Sequence, residues 1–211
     1  MQRLGHEGLA MPALLTSPAG AGENPAGVAS AGVTLAPGHP LPAAVVADLR
    51  TDHAGETGAV CIYQGVLRFA RDPALRAFAE RHLATEQAHL QAVEPWLAPA
   101  DHSRLLPLWR LAGWLTGALP ALLGPRAVYA TIEAVERFVD HHYAEQIQRF
   151  AAQPALSSLR QTLVDCQADE VAHREEASRA LGAADPGAVV RAWGWMVGAG
   201  SRGAVAVCRR L

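Results

Sequence analysis

The amino-acid sequence predicts an all-α fold: four long helices gathered into a bundle, with two additional apolar helical segments. Three observations predict it. No window alternates apolar and polar residues as a strand does. Breakers at Asp72-Pro73, Pro95, Pro99, Gln153-Pro154 and Gly182 leave helix-length stretches between them. The 211 residues, 50% hydrophobic and 18% charged, suffice for one domain with a sizeable core.

Residues 1–41 are rich in Ala, Gly and Pro, with breakers at Gly20-Ala21-Gly22 and Pro37-Gly38-His39-Pro40, and read as a flexible tail. Residues 42–211 read as one domain. Its first helix begins at Pro42, a residue suited to a first turn, and runs to Asp72-Pro73. A second spans about 74–96. Residues 104–124 are very apolar, with Arg110 as the only charge after Arg104, and Pro107, Gly113, Gly117 and Pro120 interrupt them. A third bundle helix runs from Pro125 to about Ala152 and a fourth from Leu156 to Leu181, where Gly182 closes it. Asp185-Pro186-Gly187 opens a last apolar segment that reaches Leu211.

Composition excludes several functions. The formal charge of −2 excludes a strongly basic nucleic-acid binder. All 18 basic residues are arginine, so lysine Schiff-base chemistry and a phosphate-binding Walker loop are excluded. Cys61, Cys166 and Cys208 are scattered without a Cys-x-x-Cys, which fits a reducing compartment. No run of eighteen uncharged apolar residues marks a membrane span, and no clean apolar core marks a signal peptide.

Two Glu-x-x-His pairs stand out, Glu86/His89 and Glu170/His173. Glu56 lies 30 residues before Glu86, with the midpoint at the Asp72-Pro73 break. In an antiparallel hairpin both would stand roughly 22 Å from the turn, at one height. The second half repeats the pattern: Glu136 lies 34 residues before Glu170, with the midpoint at Pro154. Together the hairpins place four carboxylates and two imidazoles at one level, the ligand set of ferritin-like dinuclear iron and manganese proteins. Carboxylates are hard donors able to bridge two cations, and each neutral imidazole adds one nitrogen. The apolar residues Val60, Tyr63 and Leu67 beside Glu56, and Ile132, Val139 and Tyr143 beside Glu136, make unpaired charge costly there. Asp52 and Asp140, each one turn from a ligand Glu, are expected to hydrogen-bond the ligand imidazoles.

The run Asp52-His53-Ala54-Gly55-Glu56 resembles the opening motif of the demethoxyubiquinone hydroxylases, di-iron monooxygenases of ubiquinone biosynthesis. The resemblance continues through Glu86-Gln87-Ala88-His89-Leu90, Pro107-Leu108-Trp109, Ala134-Val135-Glu136, His141-His142-Tyr143 and Asp169-Glu170 with His173. It covers about residues 47–211 and omits the tail. It implies two iron ions held by Glu56, Glu86, His89, Glu136, Glu170 and His173, the same six side chains that the spacing selects. It also implies roles for His142, Tyr143 and Arg202 near the iron, as an electron or proton route toward substrate. The implied reaction is hydroxylation of demethoxyubiquinol with dioxygen. The implied partners are an isoprenoid quinone and the membrane surface, with other quinone-biosynthesis proteins and a second copy of the chain as further candidates and nucleic acid excluded. The implied location is peripheral, on the cytoplasmic face of the inner membrane.

Residues 104–124 and the last segment suit an interfacial position. The first offers Leu105, Leu108, Trp109, Leu111 and Trp114; the second has Val189, Trp193, Trp195 and Met196, followed by Arg202, Arg209 and Arg210. A ferritin-like ferroxidase or metal-storage protein shares the ligand set but needs neither segment.

Overall fold

The computed structural model describes residues 34–183 and 187–211. Six α-helices account for most of them: α1 (Ala43–Phe69), α2 (Pro73–Val93), α3 (Leu106–Leu123), α4 (Pro125–Ala151), α5 (Ser157–Leu181) and α6 (Ala188–Cys208). No strand occurs among the described residues.

The helix ends fall where local chemistry puts them. Asp72 caps α2, accepting from the Leu75 amide at 2.8 Å, and Pro73 opens the helix where a missing N–H costs nothing. Pro95 ends the regular part of α2, so the chain passes through two 3₁₀ turns, Glu94–Trp96 and Pro99–Asp101. Gly124 and Gly182 terminate α3 and α5 with φ of 108° and 73°, a region that glycine enters without a Cβ penalty.

α1 pairs with α2 and α4 with α5, while α2 also meets α5. Two apolar layers fill the space between them. One includes Tyr63, Val66, Leu75, Phe78, Val128 and Ile132. The other includes Leu49, Val93, Phe150, Leu156, Leu159 and Leu163. The acids and imidazoles singled out by spacing lie between the two layers along the helix axes.

α3 and α6 lie outside this core. α3 packs against α1 and α4, and α6 against α4 and α1. The glycines of α3 do not interrupt it, contrary to expectation. A Cβ on Gly113 would collide with the backbone of Gly58, one on Gly117 with the backbone of Ile62, and one on Gly65 with the backbone of Trp114. They serve a close approach of α3 to α1. No helix among the described residues is long and apolar enough to cross a membrane.

Residues 1–33, most of the expected tail, lie outside the described residues. Residues 34–41 are irregular but attached: Leu35 and Leu41 pack on the second apolar layer, and the Leu35 amide donates to Ala155 O at 2.8 Å. The packed region therefore begins several residues before Pro42.

Candidate metal centre and its cavity

Glu56 comes from α1, Glu86 and His89 from α2, Glu136 from α4, and Glu170 and His173 from α5. All six are buried. One ligating atom from each of Glu56, Glu86, His89 and Glu170 lies within 4.8 Å of the others, and the same holds for Glu86, Glu136, Glu170 and His173. Glu86 and Glu170 belong to both groups. Such an arrangement could hold two adjacent cations, with Glu86 and Glu170 shared and a Glu and a His completing each side.

Orphaned polar atoms test whether the residues fit cations. Glu56 Oε2, both oxygens of Glu86, Glu170 Oε2, His89 Nδ1 and His173 Nδ1 are buried without a hydrogen-bond partner. Yet they crowd together: His89 Nδ1 is 3.1 Å from Glu170 Oε1 and 3.6 Å from Glu56 Oε2, and His173 Nδ1 is 3.1 Å from Glu86 Oε1. Leaving such atoms unmatched in a low-dielectric interior is costly, and divalent cations match them.

The charge states show the same stress. Burial pushes Glu56 up to about 8, with Glu86 and Glu170 adding to the shift and His89 opposing it. Burial and the charges of Glu170 and Glu86 hold Glu136 well above the carboxylate range. Glu170 goes the other way, to about 2, because His173 and His89 beside it outweigh burial. Burial would lower His173, but Glu170 and Glu86 raise it to about 9, and His89 is raised for the same kind of reason. The group can balance its charge by taking up protons, and bound cations would take the place of those protons.

The surrounding groups hold the acids in place. Tyr143 O–H donates to Glu56 Oε1. Tyr63 O–H donates to Glu136 Oε1 at 3.1 Å and faces His82 Nδ1 at 3.3 Å. Burial and neighbouring acids raise both phenols well above their ordinary range, so both remain donors. His82 Nε2 lies 3.0 Å from Glu176 Oε2, which completes a line of polar atoms from Glu136 to the half-buried Glu176.

The expectation for the two aspartates is corrected. Asp52 reaches no ligand imidazole: its Oδ1 accepts from Gln146 at 2.7 Å and lies 3.2 Å from His142 Nε2. Asp140 pairs with Arg174 and accepts from Gln167 at 2.8 Å. The side chain on the far nitrogen of His89 is Asp169, with Oδ2 3.1 Å from Nε2. A position one turn from a ligand shares its face, but reach across the bundle depends on the neighbouring helix. Asp169 directly precedes Glu170, and that adjacency was the available signal.

A cavity of about 390 Å³ opens on the centre. Glu56, Glu136 and Glu170 form its floor, and His142 and Tyr143 line it. Its walls come from α3, with Trp109, Gly113 and Thr116, and from α6, with Trp193, Val197 and Ser201. Arg202 is not among its lining residues. It is exposed and borders an adjoining groove between α4 and α6, with Asp140, His141 and Arg174, that shares Phe138, His142 and Val205 with the cavity.

Residues 43–208 match the family model described as ubiquinone biosynthesis protein COQ7. A 3-demethoxyubiquinol 3-hydroxylase of Rhodospirillum rubrum is 38% identical over 143 residues, 66% of each chain. One from Ralstonia pickettii is 31% identical over 136 residues, 64% of this chain and 62% of the relative. An NADPH-dependent 3-demethoxyubiquinone 3-hydroxylase, mitochondrial, of Caenorhabditis elegans is 27% identical over 167 residues, 77% of this chain and 88% of the relative. In the two bacterial relatives the match spans just under two thirds of their own length.

Proposed function

Because the chain belongs to the ubiquinone biosynthesis protein COQ7 family, we propose that it is a ferritin-like di-iron monooxygenase that hydroxylates demethoxyubiquinol with dioxygen. One observation carries the proposal: two overlapping groups of buried carboxylates and imidazoles present Glu56, Glu136 and Glu170 to the floor of a mostly apolar cavity walled by α3 and α6. Glu56, Glu86, His89, Glu136, Glu170 and His173 would hold the two irons. Bound there, the metal pair would supply reductive activation of dioxygen, with two electrons and two protons drawn from a reductant or from the quinol itself, one oxygen atom going to the quinol ring and the other to water.

The chain's own residues then have definable tasks. Tyr143 and Tyr63 donate to Glu56 and Glu136, fixing the carboxylates that would otherwise change their orientation. The apolar walls exclude water and place the ring. His142 borders the cavity with its Nε2 beside the buried Asp52, Thr51 and Gln146, and so can hold a proton at the edge of the substrate site. The isoprenoid chain would leave between α3 and α6 toward a membrane surface on which the protein rides peripherally, at the cytoplasmic face of the inner membrane.

A ferroxidase would use the same ligands, but ferrous ions need no apolar cavity. Two measurements separate the readings. The first is complementation of a ubiquinone-deficient strain that accumulates the demethoxy precursor. The wild-type chain should restore ubiquinone and Glu136→Ala should not; equal rescue by both would overturn the site. The second is organic extraction of the purified protein with iron quantitation. Two irons with bound isoprenoid quinone support the hydroxylase, and iron without lipid supports the ferroxidase.

A further inference from the structure

A third group of ligating side chains stands apart from the carboxylate centre. His53 projects from α1, Glu94 closes α2, and His102 follows the second 3₁₀ turn on the way into α3. One ligating atom from each lies within 4.8 Å of the others. His53 is only 4% exposed, and its Nδ1 has no hydrogen-bond partner. His102 Nε2 is buried and unpartnered as well. Two imidazole nitrogens left so are an unpaid desolvation cost unless something binds them. Glu94 supplies the charge: it is exposed, and among the described residues no arginine forms an ion pair with it.

We propose that His53, Glu94 and His102 form a mononuclear site for a divalent transition-metal ion of the Zn²⁺ type, separate from the dinuclear centre. The donor set argues for this class of ion. Two neutral imidazoles and one carboxylate, with the fourth position open to water, make a recurrent zinc environment, whereas an all-oxygen set would suit magnesium or calcium. His53 is in the ligating form. Burial first, then His102 and Arg110, push His53 down to about 4 against the pull of Glu94, so it is neutral near neutral pH. The two rings stack with centroids 4.0 Å apart. His53 is fixed in α1, and His102 sits on irregular chain, so His102 is the ring that turns to share an ion.

The site would clasp α1 to the connection between α2 and α3. Ser103, next to His102, accepts from Trp109 Nε1 and from the Leu105 amide, each at 3.2 Å. Trp109 lines the cavity. An ion at His102 therefore steadies the segment that seats one wall of the substrate site.

The test uses the full-length, iron-loaded protein and Zn²⁺ alone as probe, with calorimetric titration and metal analysis of both elements. The wild-type chain should take up one equivalent of Zn²⁺ more than His102→Asn and Glu94→Gln do, with iron content equal in all three. Equal Zn²⁺ uptake by wild type and His102→Asn, or no uptake by wild type up to about millimolar Zn²⁺, overturns the site. The comparison holds even for a preparation that retains no iron, because it rests on a difference between variants whose altered residues lie outside the dinuclear centre.

Discussion

Glu86 and Glu170 are the two side chains common to both ligand groups of the candidate metal centre, and their neighbours decide how firmly they are held. On the α5 side, Asp169 reaches over to His89 Nε2 at 3.1 Å and orients the ring whose Nδ1 faces Glu170. Asp169 is itself well exposed, with 57% of its side chain open to solvent, so its replacement perturbs little packing. Asp169→Asn should lower metal affinity about 10–100-fold while leaving the metal-free protein as stable as wild type. Competition with a chelator reads the first, and urea unfolding of the apoprotein the second; unchanged chelator competition would show that His89 is oriented by packing alone. His53 offers a pH signature. Its folded-state value of about 4 lies below the ordinary 6.5, so between these values the unfolded chain binds the proton and the folded chain does not. Its contribution therefore rises with pH from 4 to 6.5 and is flat above. Urea midpoints of the metal-free protein should show this rise more steeply in wild type than in His53→Gln. Parallel profiles for the two would mean that the ring titrates in the folded state as it does in water. The convergence of the six side chains was legible in the sequence because helical register and distance from a turn are sequence properties. The partners of Asp52 and Asp140 were not, because they depend on which side chains of the adjoining helix come within 3 Å.

At the scale of elements, the bundle helices could be read from their punctuation, since Asp72-Pro73, Gln153-Pro154 and Gly182 act locally. α3 was misread in one respect. Gly113 and Gly117 look like interruptions within an apolar run, and the reason for them lies on another helix: the backbone of α1 occupies the space where their Cβ atoms would be. Glycine in a helix interior costs roughly 1 kcal/mol relative to alanine, so close approach of the two backbones must return more than that. Gly117→Ala should consequently destabilise the protein. The collision is with backbone of Ile62 and Val66, which has no rotamer to yield, and overpacking of this kind costs about 1–3 kcal/mol. Gly203→Ala in α6 is the matched comparison, because nothing lies within 4 Å of its Cβ position. It should gain up to about 1 kcal/mol from helix propensity alone. Thermal melts of the two variants should move in opposite directions. If both rise, α3 is held to α1 loosely enough to shift aside.

Across the whole molecule, α3 and α6 each carry two different faces. The inner face of α3 brings Trp109, Ala112, Gly113 and Thr116 to the cavity, while Leu108, Leu111, Leu115, Leu119 and Leu122 are exposed to between 38% and 62%. α6 turns Trp193, Val197 and Ser201 inward and leaves Val189 and Trp195 exposed to 77% and 73%. The inner faces line the cavity, and the outer faces are too apolar to be explained by it. Neither helix is long and apolar enough to cross a membrane; on the proposed function both lie along the lipid surface. On the proposed function the cavity then opens toward the phase that dissolves an isoprenoid chain. The sequence showed the apolar content of both segments; the division of each into a cavity face and an outward face required the positions of α1 and α4, against which both pack. Leu111→Glu combined with Trp195→Glu removes two outward contacts and touches none of the cavity lining or the six ligands. In flotation with phospholipid vesicles the wild-type chain should rise with the lipid and the double variant should remain at the bottom of the gradient, with equal iron content and equal thermal stability. Flotation of both to the same extent would place the lipid-facing surface elsewhere, and the exit path between α3 and α6 would lose its basis.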